Sequence, residues 1–179
     1  ENNKARLVAG YCWNWASKND SNAFDITFPE HKFKMRWNLA QDTMLWILRK
    51  ESIDEVGCIH TSQGLELEYV GVIIGPDFIV RDGVAQTNYK ARAKTDQSLK
   101  GIVKISKESP DRAHKIADPI IRNTYRTLMS RGSKGCYIYC TDEETREYFQ
   151  SQLNLITKSS RQAHMMLKVA APSKKYRSK

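Results

Sequence analysis

Three stretches of this chain are apolar almost without interruption: Glu55 to His60, Tyr69 to Gly75 and Cys136 to Cys140. A strand with one wet face alternates apolar and polar residues, whereas a strand covered on both faces does not. The three stretches are therefore predicted to be strands of a parallel sheet with helices on its faces. Arg6 to Tyr11 is a weaker strand candidate, as is Asp25 to Phe28, which can pair with Lys32 to Arg36 as a hairpin across Pro29-Glu30-His31. Helix signals lie between these segments. Asp42 can cap Thr43 to Lys50, and Asp118-Pro119 supplies a capping carboxylate with proline in the first turn of a helix predicted to run to Arg131 and stop at Gly132. Along that helix Ile121, Tyr125 and Leu128 form an apolar stripe, while Arg122 and Arg126 sit four apart on another face. A last helix is predicted from Glu143 to about Leu153, packing through Phe149 and Leu153. Alternating helix and strand define an α/β fold with a parallel sheet.

A chain of 179 residues suits one domain with a sizeable core. With no initiator methionine and no apolar leader, it is expected to be a piece of a longer, soluble and cytoplasmic protein with no membrane span. Residues 1–157 are assigned to the domain, with a polar, basic insertion at about 81–117 read as a long functional or mobile loop. Residues 158–179 are assigned to a basic, flexible tail, within which Ala163 to Ala171 can form a short helix. Charge is split along the chain. Residues 1–111 hold 15 Lys+Arg against 15 Asp+Glu, and residues 112–179 hold 14 against 5, so the whole net charge of +9 lies in the last part. Such asymmetry fits a polyanion partner, or equally a solvated helix face with a basic tail.

Several chemistries are excluded. Cys12, Cys58, Cys136 and Cys140 have no Cys-x-x-Cys spacing, and two cysteines four apart on a strand stand roughly 13 Å apart, too far to share a metal or a disulfide. They are expected to be buried thiols, and the four histidines form no metal-ligand pattern. Asp77 after Gly75-Pro76 has no Glu-x-Lys or Asp-x-Lys downstream, which argues against a nuclease. No window matches Gly-x-x-x-x-Gly-Lys-Ser/Thr, the spacing that brings backbone amides, a lysine and a metal-binding hydroxyl onto phosphates. Tyr137 to Glu144 imitates a metal-binding acidic strand end, but Thr141 or Asp142 capping the next helix explains it more simply. Tyr11, Trp13 and Trp15 follow a strand and can either stack on bases of a single strand or fill the core.

Two motifs carry the function. Ile59-His60-Thr61-Ser62-Gln63-Gly64-Leu65-Glu66 resembles motif V of superfamily 1 helicases, and Tyr125-Arg126-Thr127-Leu128-Met129-Ser130-Arg131 resembles motif VI. With Ala5 to Trp13, Gly71 to Asp77 and Arg131 to Tyr137, the chain from about residue 4 to 150 resembles the Schlafen group 3-like DNA/RNA helicase domain family. The resemblance implies a RecA-like C-terminal helicase domain without its own phosphate loop. ATP with Mg2+ would be bound mainly by an N-terminal RecA-like domain of the same protein, and single-stranded DNA or RNA would be the partner. It also implies roles. Arg131 would be the catalytic arginine finger, with Arg126 as a second phosphate contact or a plain surface residue. Glu66 would meet the ribose, and Gln63 and Gly64 would belong to the loop linking nucleotide state to strand contact. His60, Thr61 and Ser62 would touch the nucleic acid, as would Trp13 by stacking. Thr61 departs from the lysine usual in motif V, and His60 can equally be a strand-end histidine with a core hydrogen bond. The alternative is a non-enzymatic nucleic-acid-binding or nucleotide-sensing module on the same fold.

Overall fold

The computed structural model describes residues 5–38, 46–62 and 64–170, with side chains through Ser159. Among them, six strands form one sheet in the order β2-β3-β4-β1-β5-β8: β1 (Ala5–Ala9), β2 (Ile26–Phe28), β3 (Phe33–Trp37), β4 (Glu55–Gly57), β5 (Leu67–Ile74) and β8 (Gly132–Cys140). All pairs are parallel except the β2–β3 edge hairpin. That hairpin turns through Pro29–His31, as its sequence suggested. Val8 sits level with Gly57 on one side and Val72 on the other, and Val72 is level with Ile138.

The alternation of the central strands sorts two cores. Val8, Val70, Val72 and Ile74 face the long helix α3 (Pro110–Met129), which buries Ala113, Ala117, Ile121, Tyr125 and Leu128 against them. Ala9, Trp37, Val56 and Ile73 face the other way and pack with Tyr11, Ile26 and Cys58. Strands that are apolar at consecutive positions thus feed both faces, which is why they are so nearly free of polar residues.

Several element boundaries differ from expectation. The strand predicted from Glu55 to His60 ends at Gly57, and helix α1 (Ile59–Ser62) begins one residue after Cys58. Asp118-Pro119 does not start a helix: α3 starts at Pro110 with Ser109 as its cap, leaving Pro119 in the interior. An interior proline costs about 3 kcal/mol. The continuous buried stripe from Ala113 to Leu128 outweighs that cost. Asp118 instead accepts hydrogen bonds from Thr87 Oγ1 (2.8 Å) and Arg122 Nε (2.9 Å), while Arg122 also donates to the Ala85 carbonyl. Those bonds tie α3 to the hairpin of β6 (Phe78–Arg81) and β7 (Val84–Thr87).

The segment 81–117 is not a long loop. It holds this hairpin, short 3-10 turns at Tyr89–Ala91 and Gln97–Leu99, helix α2 (Ile102–Glu108) and the start of α3. Leu99 and Ile102 enter the core from it, whereas Val84 and Val103 stay exposed. Gly132 opens β8 instead of stopping a helix, and α4 (Glu143–Ala170) continues well beyond Leu153. Asp142 caps α4 as expected, accepting from the Thr145 amide at 3.0 Å. Phe149 packs on the core, whereas Leu153 is 53% exposed. The expected helix over Thr43 to Lys50 lies partly outside the described residues. Its described remainder is a 3-10 turn at Trp46–Leu48, followed by another at Lys50–Asp54. Cys136 is exposed, correcting the expectation of four buried thiols, because it lies on the edge strand. No helix among the described residues is long and apolar enough to cross a membrane.

Candidate nucleotide and nucleic-acid sites

The segment from Cys58 to Leu67 leaves the carboxyl end of β4 and must reach the amino end of β5. Because Gly57 and Val72 are both level with Val8, and Leu67 is five residues before Val72, it runs back roughly 17 Å along the sheet. Its first part is pinned. The Ser62 amide and hydroxyl both donate to the Cys58 carbonyl (3.0 and 2.9 Å), and the Thr61 hydroxyl donates to Asn38 Oδ1 at 2.8 Å. Both side chains are buried, so Ser62 presents no surface to a nucleic acid and its expected contact there is not supported. His60 is exposed at this end.

At the other end the chain turns through Gly64, at φ 79°, a left-handed conformation that favours glycine. Glu66 then stands exposed beside the start of β5. The adjacent strand begins at the same level: Leu67 pairs with Gly132, and the Leu67 amide donates to the Arg131 carbonyl at 2.9 Å. Glu66 and Arg131 therefore precede neighbouring strands at one end of the sheet. The Arg131 Nε donates to the Thr127 carbonyl at 3.1 Å, while its terminal nitrogens make longer contacts to Leu65 O (3.5 Å) and Ser130 Oγ (3.3 Å). Arg126 is exposed near the end of α3, and neither it nor Glu66 has a polar partner among the described residues. Gln63 lies outside the described residues.

The carboxyl ends of β1, β3 and β4 surround a cavity of about 540 Å3 lined by Tyr11, Trp15, Lys18, Asn38, His60 and Thr61. Thr95, Asp96 and Gln97 close its other side. In open parallel sheets, ligands bind outside these strand ends. Trp13 is not in this cavity: its ring meets Phe28 edge-on at 6.0 Å, and its carbonyl accepts from Trp37 Nε1. Trp15, two residues on, does line it.

Below the cavity lies a charged cluster that the sequence reading missed. Asp77 is fully buried and takes Arg92 Nη1 at 2.9 Å and the Tyr125 hydroxyl. Arg92 Nε donates to Asp96 at 2.7 Å, and the Gly75 amide donates to the Tyr125 hydroxyl at 3.0 Å. Burial opposes the Arg92 charge, but the two carboxylates overcome it and hold its pKa above the ordinary value. Burial, followed by Asp77, pushes the Tyr125 hydroxyl well up, so it stays protonated and can donate. A Cβ at Gly10 would collide with that hydroxyl, so glycine there makes room for it. The i,i+4 spacing of Arg92 and Asp96 was a readable signal. The partners Asp77 and Tyr125 had none.

A largely parallel sheet with helices against it is consistent with a RecA-like helicase domain. The model of the Schlafen group 3, DNA/RNA helicase domain matches residues 1–142, and the chain belongs to that family. The family link is to ATP-dependent nucleic-acid helicases in general. The chain is also similar to uncharacterized protein YPL245W of Saccharomyces cerevisiae, with 34% identity over 117 residues. That match covers 64% of this chain but 25% of the relative, so the chain corresponds to about a quarter of that protein's length. No solved structure matches. Among the described residues no group of three or more His, Cys, Asp or Glu could hold a metal ion.

Proposed function

We propose that this domain is the C-terminal RecA-like half of an ATP-dependent DNA or RNA helicase or translocase, and that it completes an ATP site whose phosphate loop belongs to an N-terminal domain. The observation that carries the reading is the pairing of Glu66 and Arg131 at the starts of adjacent strands, 65 residues apart in sequence yet joined by the β5–β8 register. In phosphoryl transfer, charge spreads over the γ-phosphate oxygens, and an arginine arriving from a facing domain stabilises it only when the cleft closes. Arg131 suits that task. Its terminal nitrogens make only long contacts, so they can turn outward at small cost, while Nε stays on the helix end. Arg126, exposed near the end of α3, would be a second phosphate contact. Glu66 can accept a ribose hydroxyl, and Gly64, at positive φ, turns the chain between this end and the strand-contact end. The Mg2+ that accompanies ATP would be held by the N-terminal half.

At the opposite end, exposed His60 and the backbone around Thr61 are the groups of motif V available to a single strand of DNA or RNA. The test is Arg131→Lys in the complete two-domain protein. It keeps the charge and loses the planar fork, and nucleic-acid-stimulated ATPase is expected to fall on the order of 100-fold, below the range reported for losing a whole finger. An unchanged rate would remove Arg131 from the mechanism. The charge split favours a second reading, a nucleic-acid-binding module without catalysis, with affinity that falls steeply as salt rises. Absence of ATPase from the complete protein, with binding retained, would select it.

A further inference from the structure

We propose that the cavity at the carboxyl ends of β1, β3 and β4 is a seat for one nucleotide of a single strand, its base stacked on Trp15 and its phosphate on Lys18. This rests on the reading of the domain as a strand-binding motor half, and it names the ligand unit and the residues that would hold it. Three features support it.

The cavity, at about 540 Å3, lies within the ~300–1,000 Å3 that small-ligand sites occupy. It has an aromatic wall with one open side. Tyr11 is already stacked on Trp37, with centroids 5.1 Å apart and planes 19° apart, whereas Trp15 is half-buried and has no aromatic partner among the described residues. The charge of the lining also suits an anion. Lys18 Nζ lies over the Trp15 ring, 6.0 Å from its centre, so a phosphate that draws Lys18 aside would free that face for a base. The single carboxylate in the wall, Asp96, is neutralised by Arg92 at 2.7 Å and occupied by Ser98. A phosphate entering here therefore meets Lys18 and the exposed His60 with no free acid against it. Thr95 and Gln97 supply short polar groups at the rim, able to meet a base edge without imposing one base over another. Sequence-tolerant stacking plus a phosphate contact is what a translocating motor requires of such a seat, since every base must pass through it.

The experiment is a titration of the full chain with a single-stranded oligonucleotide carrying one 2-aminopurine, followed by fluorescence at several salt concentrations, with AMP as the control ligand. Wild type is expected to quench the probe. Trp15→Ala should abolish the quench and raise Kd about 5- to 100-fold, the range that stacking losses produce, while Trp15→Phe should keep most of both. Lys18→Ala should lower the salt slope by about 0.7, one phosphate on a single strand. Trp15→Ala within twofold of wild type, with the quench retained, would overturn the proposal and leave the motor reading intact. If Trp15→Ala fails to fold, the surface variant Lys18→Glu decides: at least a tenfold loss supports the seat, and less than twofold overturns it. No oligonucleotide binding by wild type would overturn both the seat and the strand-contact part of the motor reading. Competition by AMP at concentrations comparable to the oligonucleotide would assign the cavity to a free nucleotide and overturn the strand.

Discussion

The buried cluster around Asp77 makes Tyr125→Phe the most informative single change. The substitution keeps the ring, which is 1% exposed and packs edge-on against Phe78 with centroids 5.5 Å apart, and removes one oxygen. That oxygen has two partners. It donates to an Asp77 carboxylate oxygen, and it accepts the Gly75 amide at 3.0 Å. Without it, a buried backbone N–H loses its acceptor, which costs about 1–3 kcal/mol, and a buried carboxylate loses a charge-assisted bond worth about 1.5–3 kcal/mol. The two losses share one atom and are not additive, and the phenylalanine avoids burying a hydroxyl. The expected net loss is about 2–4 kcal/mol. Against a typical domain stability of about 5–15 kcal/mol that is a large fraction. Urea unfolding followed by circular dichroism reads it directly, as a lower midpoint at unchanged slope. A loss below about 0.5 kcal/mol, the level of ordinary surface substitutions, would mean that the hydroxyl is not the keystone of the cluster and would refute the reasoning.

Two further outcomes are expected. The Asp142 carboxyl is held well below the usual carboxylate range, first by the hydrogen bonds from Arg81 and then by those from Thr145, against an opposing effect of burial. A depressed folded pKa means its stabilisation is complete above the ordinary value of about 3.9 and is lost as pH falls below it. The stability gap between wild type and Asp142→Asn, measured by denaturant at pH 7, 4 and 3, should therefore be widest at pH 7 and narrow at the acid end; a constant gap would contradict it. Thiol titration with an aromatic disulfide should find one fast cysteine in the native chain, Cys136, and four after unfolding, because Cys136 is the exposed one of the four; burial raises the Cys12 and Cys136 thiols alike and pushes that of Cys140 up to about 11. Two or more fast thiols in the native chain would show that the packing around Cys12, Cys58 or Cys140 opens.

β5 was readable because burial on both faces leaves a one-dimensional signature, and β8 was found by a similar apolar run although it is an edge strand with Cys136 and Tyr137 exposed. The start of α3 was not, and the reason is specific. Ser109-Pro110 and Asp118-Pro119 carry the same start signal, nine residues apart, and capping chemistry cannot choose between them. The choice is made by Ala113 and Ala117, which extend the buried stripe toward the amino end and can only be recognised once the sheet they face is known. The β6–β7 hairpin was legible and was overlooked. Asp82-Gly83 between Phe78–Val80 and Val84 is a tight-turn signal, and both residues take positive φ, 51° and 74°. The polar composition of the region hid it. At the candidate site, the neighbourhood of Glu66 and Arg131 depends on a pairing across 65 residues, which no local pattern encodes. Only the resemblance to helicase motifs placed them together in advance.

The two ends of motif V are built differently, and the difference bears on how a motor half could use them. At the strand-contact end, Thr61 and Ser62 are locked to Asn38 and to the Cys58 carbonyl, so His60 is held by the sheet itself. At the nucleotide end, Gly64 has no atom within 4 Å of where a Cβ would stand, and Glu66 is exposed. Among the described residues, the side-chain hydrogen bond from motif VI to that end is the long Arg131 contact to Leu65 O. A movement of Arg131 toward a phosphate would release Leu65 and leave the locked end in place. Under the proposed function, a signal returning from a bound strand would have another route. The cavity wall contains Asp96, which grips Arg92, which grips Asp77, which holds Tyr125 on α3, the helix that carries Arg131 at its end. Each link in that chain is buried and short, so a displacement at the cavity would be resisted along its length instead of being absorbed by solvent. Under the proposed function, sensing through a stiff path and responding through a loose one would be a workable division of labour.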